Sequence, residues 1–180
     1  MRKYWVSVIE RGFFMTVFHV LDKAIRALTL MILPFFFKVD PKKIIFLNFT
    51  GNYDCNPKYI CQEMIDEGLD AHYVWAVNPR TRIGPMFFPS CVKTVLRGSF
   101  DFYKELFTAK VIVDNGVSTS TLGYHKKKDQ YLIETWHGSL GIKKFGRDSN
   151  KDKKWLRNAA KEGRMTDYII SNSTFEDGVY

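Results

Sequence analysis

Six short apolar runs, each closed by a polar loop and separated from the next by a helix-forming or turn-forming stretch, constrain this chain more than any other feature. They are Lys43–Phe49, Ala71–Val77, Val92–Leu96, Lys110–Asp114, Tyr131–Ile133 and Met165–Ser171. Runs such as Val111-Ile-Val are apolar at successive positions. That fits strands buried on both faces, which is the condition of a parallel sheet covered by helices. The intervening segments supply the helices. Asn56-Pro57 opens one that runs to about Glu67 and stops at Gly68, since proline suits a first turn and glycine a helix end. Ser99 caps a second over Phe100 to Ala109, a charged third runs from Lys151 to Gly163, and Ser173 with Glu176 has capping-box spacing for a fourth. Asn78-Pro79-Arg80 and residues 83–90 read as loops. Strands alternating with helices predict an α/β fold: a Rossmann-like parallel sheet with helices on both faces.

Residues 1–40 are set apart from this pattern. Arg2, Lys3 and Arg11 precede an aromatic and aliphatic stretch from Phe13 to Phe37, interrupted by Asp22, Lys23 and Arg26. It falls short of the ~20 uninterrupted apolar residues that span a bilayer. The charged middle and the lack of a small-residue cleavage site argue against a signal peptide. Phe14, Val17, Phe18, Leu21, Ile25 and Leu28 share one helical face, with Lys38, Lys42 and Lys43 behind it. This is the pattern of an amphipathic helix lying in an anionic membrane surface. The alternative is a helix packed on the protein itself. The expected organisation is an amphipathic segment over 1–40 and a Rossmann-like domain over 41–180.

The formal net charge of +8 favours an anionic partner. Nucleic acid is not expected, because no binding motif is present and the aromatics do not interleave with the lysines. The three cysteines, Cys55, Cys61 and Cys91, form no Cys-x-x-Cys pair and read as reduced thiols. His19, His72, His125 and His137 have no metal-ligand spacing, so neither a metal site nor a cofactor is predicted.

The chemistry concentrates after Tyr131-Leu-Ile133. Trp136 and His137 follow at the strand end, then Gly138, Ser139, Gly141, Lys143, Lys144, Gly146 and Arg147. Ligands of open α/β sheets bind at the carboxyl ends of strands. An imidazole there can take or give a proton. Glycines let backbone N–H groups approach a ligand, and lysine and arginine attract phosphate. Asn115 to Gly123, after the Val111-Ile-Val run, is a polar loop at another strand end. Asn115 and Ser118 could there meet an acceptor hydroxyl or phosphate, or the loop is a plain connection.

Trp136-His-Gly-Ser-Leu-Gly-Ile-Lys-Lys-Phe-Gly146 resembles the Trp-His-Gly-Thr…Lys-Lys…Gly motif of the CDP-glycerol glycerophosphotransferases, the teichoic acid primases and polymerases. Asn48 to Ile60, Val111 to Asn115 and Asp167 to Ser173 resemble that family's flanking segments, so the likeness covers about 43–180. Ser139-Leu-Gly-Ile departs from the Thr-Pro-Leu of many members. The resemblance implies the first half of a GT-B architecture, with a second nucleotide-binding domain expected beyond Tyr180, so that the 180 residues would be a fragment or one part of a longer protein. It implies transfer of glycerol phosphate from CDP-glycerol to a lipid-linked acceptor, with His137 as general base. Thr135, Trp136, Gly138 and Ser139 would shape the donor phosphate site, and Lys143, Lys144 and Arg147 would offset its charge. It implies peripheral attachment at the cytoplasmic membrane face and leaves oligomerisation open. The rival expectation is a non-catalytic membrane-bound module that binds anionic lipid or polymer.

Overall fold

A computed structural model describes residues 15–18, 21, 24–25, 27–79, 87–138 and 152–178. The chain divides into two compact units, Met1–Phe36 and Phe37–Tyr180. In the first, the described positions up to 32 are helical, and a 3-10 turn follows over Leu33–Phe36. Met15, Phe18, Leu21, Ile25, Leu28 and Met31 are all exposed there, as are Phe35 at 86% and Phe36 at 77%. None of the described helices is long and apolar enough to cross a membrane.

The second unit is built on six strands: β1 (Asp40–Leu47), β2 (His72–Val77), β3 (Val92–Leu96), β4 (Ala109–Asp114), β5 (Tyr131–Glu134) and β6 (Tyr168–Ile169). The helices are α1 (Cys55–Asp66), α2 (Phe100–Thr108), α3 (Ser118–Leu122), α4 (Lys153–Met165) and α5 (Thr174–Asp177). All strand pairs are parallel, in the order β3-β2-β1-β4-β5-β6. This is the doubly wound order, whose direction of winding reverses between β1 and β4. Both faces of the sheet are buried, as the apolar runs require. Ile44, Phe46, Tyr73, Trp75, Val92 and Val113 join Tyr53, Cys61 and Phe88 in one core cluster. The alternate positions Ile45, Leu47, Ile112 and Leu132 are buried as well, as are Phe102, Leu106 and Phe107 of α2.

Three elements differ from the sequence reading. The Ser118 loop is in fact helix α3. The carboxylate of Asp114 accepts the N–H groups of Ser118 (2.9 Å) and Thr119 (3.3 Å), capping a stretch of low intrinsic helix preference. Helix α4 extends to Met165, which shortens the last strand to Tyr168–Ile169. Strand β1 begins at Asp40, which pairs with Ala109 before a register irregularity.

At the amino end of the sheet an ion triad around a buried carboxyl ties β1 and β3 to α2. Glu105 meets the Lys43 ammonium at 2.6 Å on one oxygen and that of Lys93 at 2.6 Å on the other. Burial alone would push this carboxyl up, but the two ammonium groups outweigh it and hold it below the ordinary 4.5. A lowered folded-state value gives stability that is present above the unfolded carboxyl pKa and lost as pH falls through the folded one. Glu105→Ala is therefore expected to cost about 2 kcal/mol at neutral pH, because Lys43 is left partly buried and unpaired. Urea unfolding at pH 7 and pH 3 checks it: the gap between variant and wild type should shrink in acid.

Candidate active site at the carboxyl ends of β1, β4 and β5

Three strand tips meet where the winding reverses, and buried asparagines fasten them. Asn48 follows β1. Its amide donates to the carbonyls of Asn52 and Asp54, both at 3.0 Å, and its oxygen accepts the Thr50 N–H at 3.0 Å. The turn needs Gly51. Its φ is +79°, and a Cβ there would lie 2.5 Å from the backbone nitrogen of Asn78. Asn115 follows β4. Its side-chain oxygen accepts the Phe49 N–H at 2.9 Å, and its own N–H donates to Leu47 at 3.3 Å. The first two tips are thus bound to each other across the switch point.

The third tip carries the imidazole. After Glu134, Thr135 donates its N–H to the Asp114 carbonyl at 2.8 Å. Trp136 then adopts φ +50°, in the left-handed region that non-glycine residues rarely enter. Two partners hold that turn. Glu134 accepts the Trp136 N–H at 3.0 Å, and the Asn56 amide donates to the carbonyls of Thr135 (2.8 Å) and Trp136 (3.0 Å). Cys55, immediately before Asn56, has φ +61°, so among the described residues the two non-glycine residues in this region adjoin the two ends of that contact. Strain that the surroundings enforce concentrates at functional sites.

The result is an exposed His137 whose Nδ1 lies 2.7 Å from the Asn115 carbonyl, with the Phe49 ring 4.6 Å from its own. A carbonyl can only accept, so Nδ1 carries a proton in this contact and Nε2 is the ring nitrogen left to face a substrate.

The structure places the other expected residues unequally. Trp136 and Gly138 adjoin the imidazole, Trp136 half-buried and Gly138 exposed. Thr135 is buried, and its hydroxyl donates to the Trp136 carbonyl at 3.2 Å. Of the two readings of the Asn115 loop, the structure shows a side chain that is 0% exposed and bonded to Phe49 and Asn48. What Asn115 brings to the imidazole is the carbonyl that orients His137. Ser139, Lys143, Lys144 and Arg147 lie outside the described residues.

Sequence reasoning missed Asn48, Asn56 and the acidic floor of the site. In the sequence Asn48 lies near the end of an apolar run and Asn56 marks a helix start, both within the segment up to Ile60 that resembles the family, and neither signals that it fastens the site. Beneath the Trp136 turn, Asp114, Glu134 and Glu162 place carboxyl oxygens within 4.8 Å of one another, and all three are buried. Among the described residues they are the group spaced to hold a cation. Burial, with mutual repulsion behind it, drives Asp114 and Glu134 up; burial also raises Glu162. A cavity of about 700 Å³ opens beside them, lined by Glu134, Trp136, Trp155, Leu156, Glu162 and Tyr168 among others.

The chain matches the family model of the CDP-glycerol:poly(glycerophosphate) glycerophosphotransferases over residues 29–180. It is 30% identical over 151 residues to the teichoic acid poly(glycerol phosphate) polymerase of Staphylococcus epidermidis, covering 79% of this chain and 20% of that protein. The Bacillus subtilis polymerase of the same name is 26% identical over 149 residues, covering 79% and 19%. The chain thus spans about a fifth of the length of these curated relatives. Among solved structures, the wall teichoic acid polymerase TagF superposes with a TM-score of 0.70 at 28% identity, covering 93% of this chain and 43% of that one. A histidine-to-asparagine variant of TagF soaked with CDPG gives 0.68 at 27% identity, covering 93% and 42%. The Rossmann-like sheet is therefore the one TagF also contains, and the chain belongs to the CDP-glycerol:poly(glycerophosphate) glycerophosphotransferase family.

Proposed function

We propose that this chain supplies the base-bearing half of a GT-B site that moves glycerol phosphate from CDP-glycerol to a terminal hydroxyl of a lipid-linked acceptor during teichoic acid synthesis. The observation that carries it is the imidazole at the switch point, with Nδ1 committed to the Asn115 carbonyl. Nε2 removes the proton of the acceptor hydroxyl as its oxygen attacks the β-phosphorus of the donor, and the bond to CMP breaks. Phosphoryl transfer of this kind asks the protein for positioning and charge compensation more than for covalent chemistry. Trp136 and Gly138 shape the donor side. Ser139, Lys143, Lys144 and Arg147, which follow in the sequence, meet the phosphates in this reading, as the family motif implies. The relatives' polymerase names and the TagF structure soaked with CDPG support this choice of donor.

The exposed apolar residues of 15–36 support peripheral attachment at the cytoplasmic face, where a lipid-linked acceptor is presented. They also favour the second reading, a membrane-bound module without catalysis. One experiment separates the two. A protein that carries this chain together with the other half of the site is incubated with CDP-glycerol labelled in the glycerol and with lipid-linked acceptor in anionic vesicles. The transferase reading expects label on the acceptor and CMP released in equal amount. Vesicle binding with neither product would leave the module reading standing and remove the transferase one.

A further inference from the structure

Arg97 stands in the turn that follows β3, and its side chain leaves that turn. Its backbone N–H donates to the Val77 carbonyl at 2.8 Å, which fixes the turn to the end of β2. Its guanidinium then passes β2 and donates from Nη2 to the Asn48 carbonyl at 3.1 Å. In the order β3-β2-β1 the side chain is laid across the carboxyl edge of the sheet as far as the β1 tip. The imidazole of His137 is held on the Asn115 carbonyl, at the tip of β4. β1 and β4 are neighbours, with Leu47 opposite Asp114. A guanidinium and an imidazole thus occupy adjacent strand tips on the two sides of the switch point. Phe49, the residue after Asn48, lays its ring 4.6 Å from that of His137.

The guanidinium is half-buried and short of acceptors. It carries several N–H donors in a rigid fork. Among the described residues the Asn48 carbonyl is the acceptor it meets, and Nε is buried with none. Asp114 acts on it as a charge, but the two share no hydrogen bond. The Asp114 oxygens already accept the N–H groups of Gly116, Ser118 and Thr119. Lys43 and Lys93, by contrast, share Glu105, and Lys126 meets Asp167. Burial pulls the guanidinium down from its ordinary value, and Asp114 opposes this only in part. A cation held in this way is stabilised by any anion that reaches it.

The corner around it is open and electropositive. Gly98, next in the chain, is exposed at φ +87°, and a Cβ there would meet nothing within 4 Å. Helix α2 begins after the Ser99 cap, and its amino-terminal N–H groups add positive potential. The acidic residue of its first turn, Asp101, is exposed to water. The planar fork of an arginine fits a phosphate on two N–H groups while another keeps the Asn48 carbonyl.

We propose that Arg97 is a substrate-binding residue whose guanidinium takes a phosphate oxyanion of the substrate at the β1 tip, while His137 faces the hydroxyl at the β4 tip. This inference rests on the reading of the site as a glycerol phosphate transferase. The oxyanion belongs either to the diphosphate of the donor or to a phosphodiester of the acceptor, and the group recognised is the same.

The test uses a protein that carries both halves of the site, as wild type, Arg97→Gln and Arg97→Lys. It measures kcat and the separate KM values for CDP-glycerol and for lipid-linked acceptor. It also follows thermal unfolding with and without inorganic phosphate at constant ionic strength. Glutamine can still donate to the Asn48 carbonyl but carries no charge. Arg97→Gln is expected to raise KM for one substrate by ~10- to 100-fold, the worth of hydrogen bonds to a charged group, with kcat within about threefold of wild type. A higher donor KM assigns the oxyanion to CDP-glycerol, and a higher acceptor KM assigns it to the acceptor. Phosphate is expected to raise the Tm of wild type more than that of Arg97→Gln. Arg97→Lys keeps the charge without the fork and should fall between the two. A mere clamp on Asn48 would lower Tm or kcat in Arg97→Gln and leave both KM values and the phosphate effect unchanged, and that result overturns the proposal. If Arg97→Gln does not fold, Arg97→Lys decides by the same readings: KM values and a phosphate effect equal to wild type overturn it. If turnover survives His137→Ala, the base reading fails, whereas the phosphate effect continues to judge Arg97.

Discussion

Replacing Trp75 with alanine is expected to lower the free energy of unfolding by ~3–5 kcal/mol, the range for removing a large aromatic from a packed core. Trp75 lies on β2, wholly buried, at the centre of an aromatic cluster. Phe46 stacks on it at 5.4 Å, Tyr53 meets it edge-on at 4.8 Å, and Phe88 lies 5.9 Å away. The truncation would open a cavity against β1 and against the loop that carries Tyr53. That loop is the one Asn48 organises, so the damage should reach the switch point as well as the core. The indole N–H of Trp75 is buried without a hydrogen-bond partner. Trp75→Phe removes that orphan donor along with part of the packing. The two effects oppose each other, and the net cost should stay below ~2 kcal/mol. Denaturant unfolding of the two variants checks both values. A Trp75→Ala protein as stable as wild type would mean that this cluster does not hold the sheet together.

The centre of the sheet was legible because β1, β2 and β4 are buried on both faces towards their carboxyl ends. Residues 44–47 and 111–113 contain no polar position to hide, and continuous apolar runs in this setting have few alternatives. Helix α2 was legible from its cap. Ser99 accepts the Phe102 N–H at 3.1 Å, and the helix begins at Phe100 as that spacing predicts. Helix α3 was not legible, because Ser118-Thr-Ser-Thr has side chains that compete for its own backbone. What makes it helical is the Asp114 carboxylate at its start and Gly123, at φ +81°, at its end. Only the second of those is marked in the local sequence.

The site divides in the same way. The imidazole at the end of β5 was readable from a strand followed by Trp-His-Gly. The parts that aim it were not, because they come from elsewhere in the chain. Asn56 reaches Thr135 and Trp136 from 79 and 80 positions away, and Asn115 reaches His137 from 22. Asn115 was read either as a substrate contact, because a polar residue after an apolar strand often is one, or as part of a plain connection. The fold pairs it with Asn48 and Phe49 across the switch point and uses it to fasten two strand tips. Nothing within a few residues of Glu134 or Glu162 announces that they will meet Asp114. That contact exists only once β4, β5 and α4 are assembled.

The proposed base is His137, which holds its Nδ1 proton on the Asn115 carbonyl and leaves Nε2 to meet an alcohol. The most direct measurement is CMP release from CDP-glycerol, in the presence of lipid-linked acceptor, by a protein carrying both halves of the site, as wild type and as His137→Ala. The substitution removes an exposed side chain whose hydrogen bond among the described residues is to a carbonyl, so stability should change little and a loss of rate with the fold intact is chemical. The prediction is a fall in kcat of ~10²- to 10⁴-fold, the usual worth of a positioned general base, with KM for CDP-glycerol within about threefold of wild type. Turnover by His137→Ala close to that of wild type would contradict the assignment of the base.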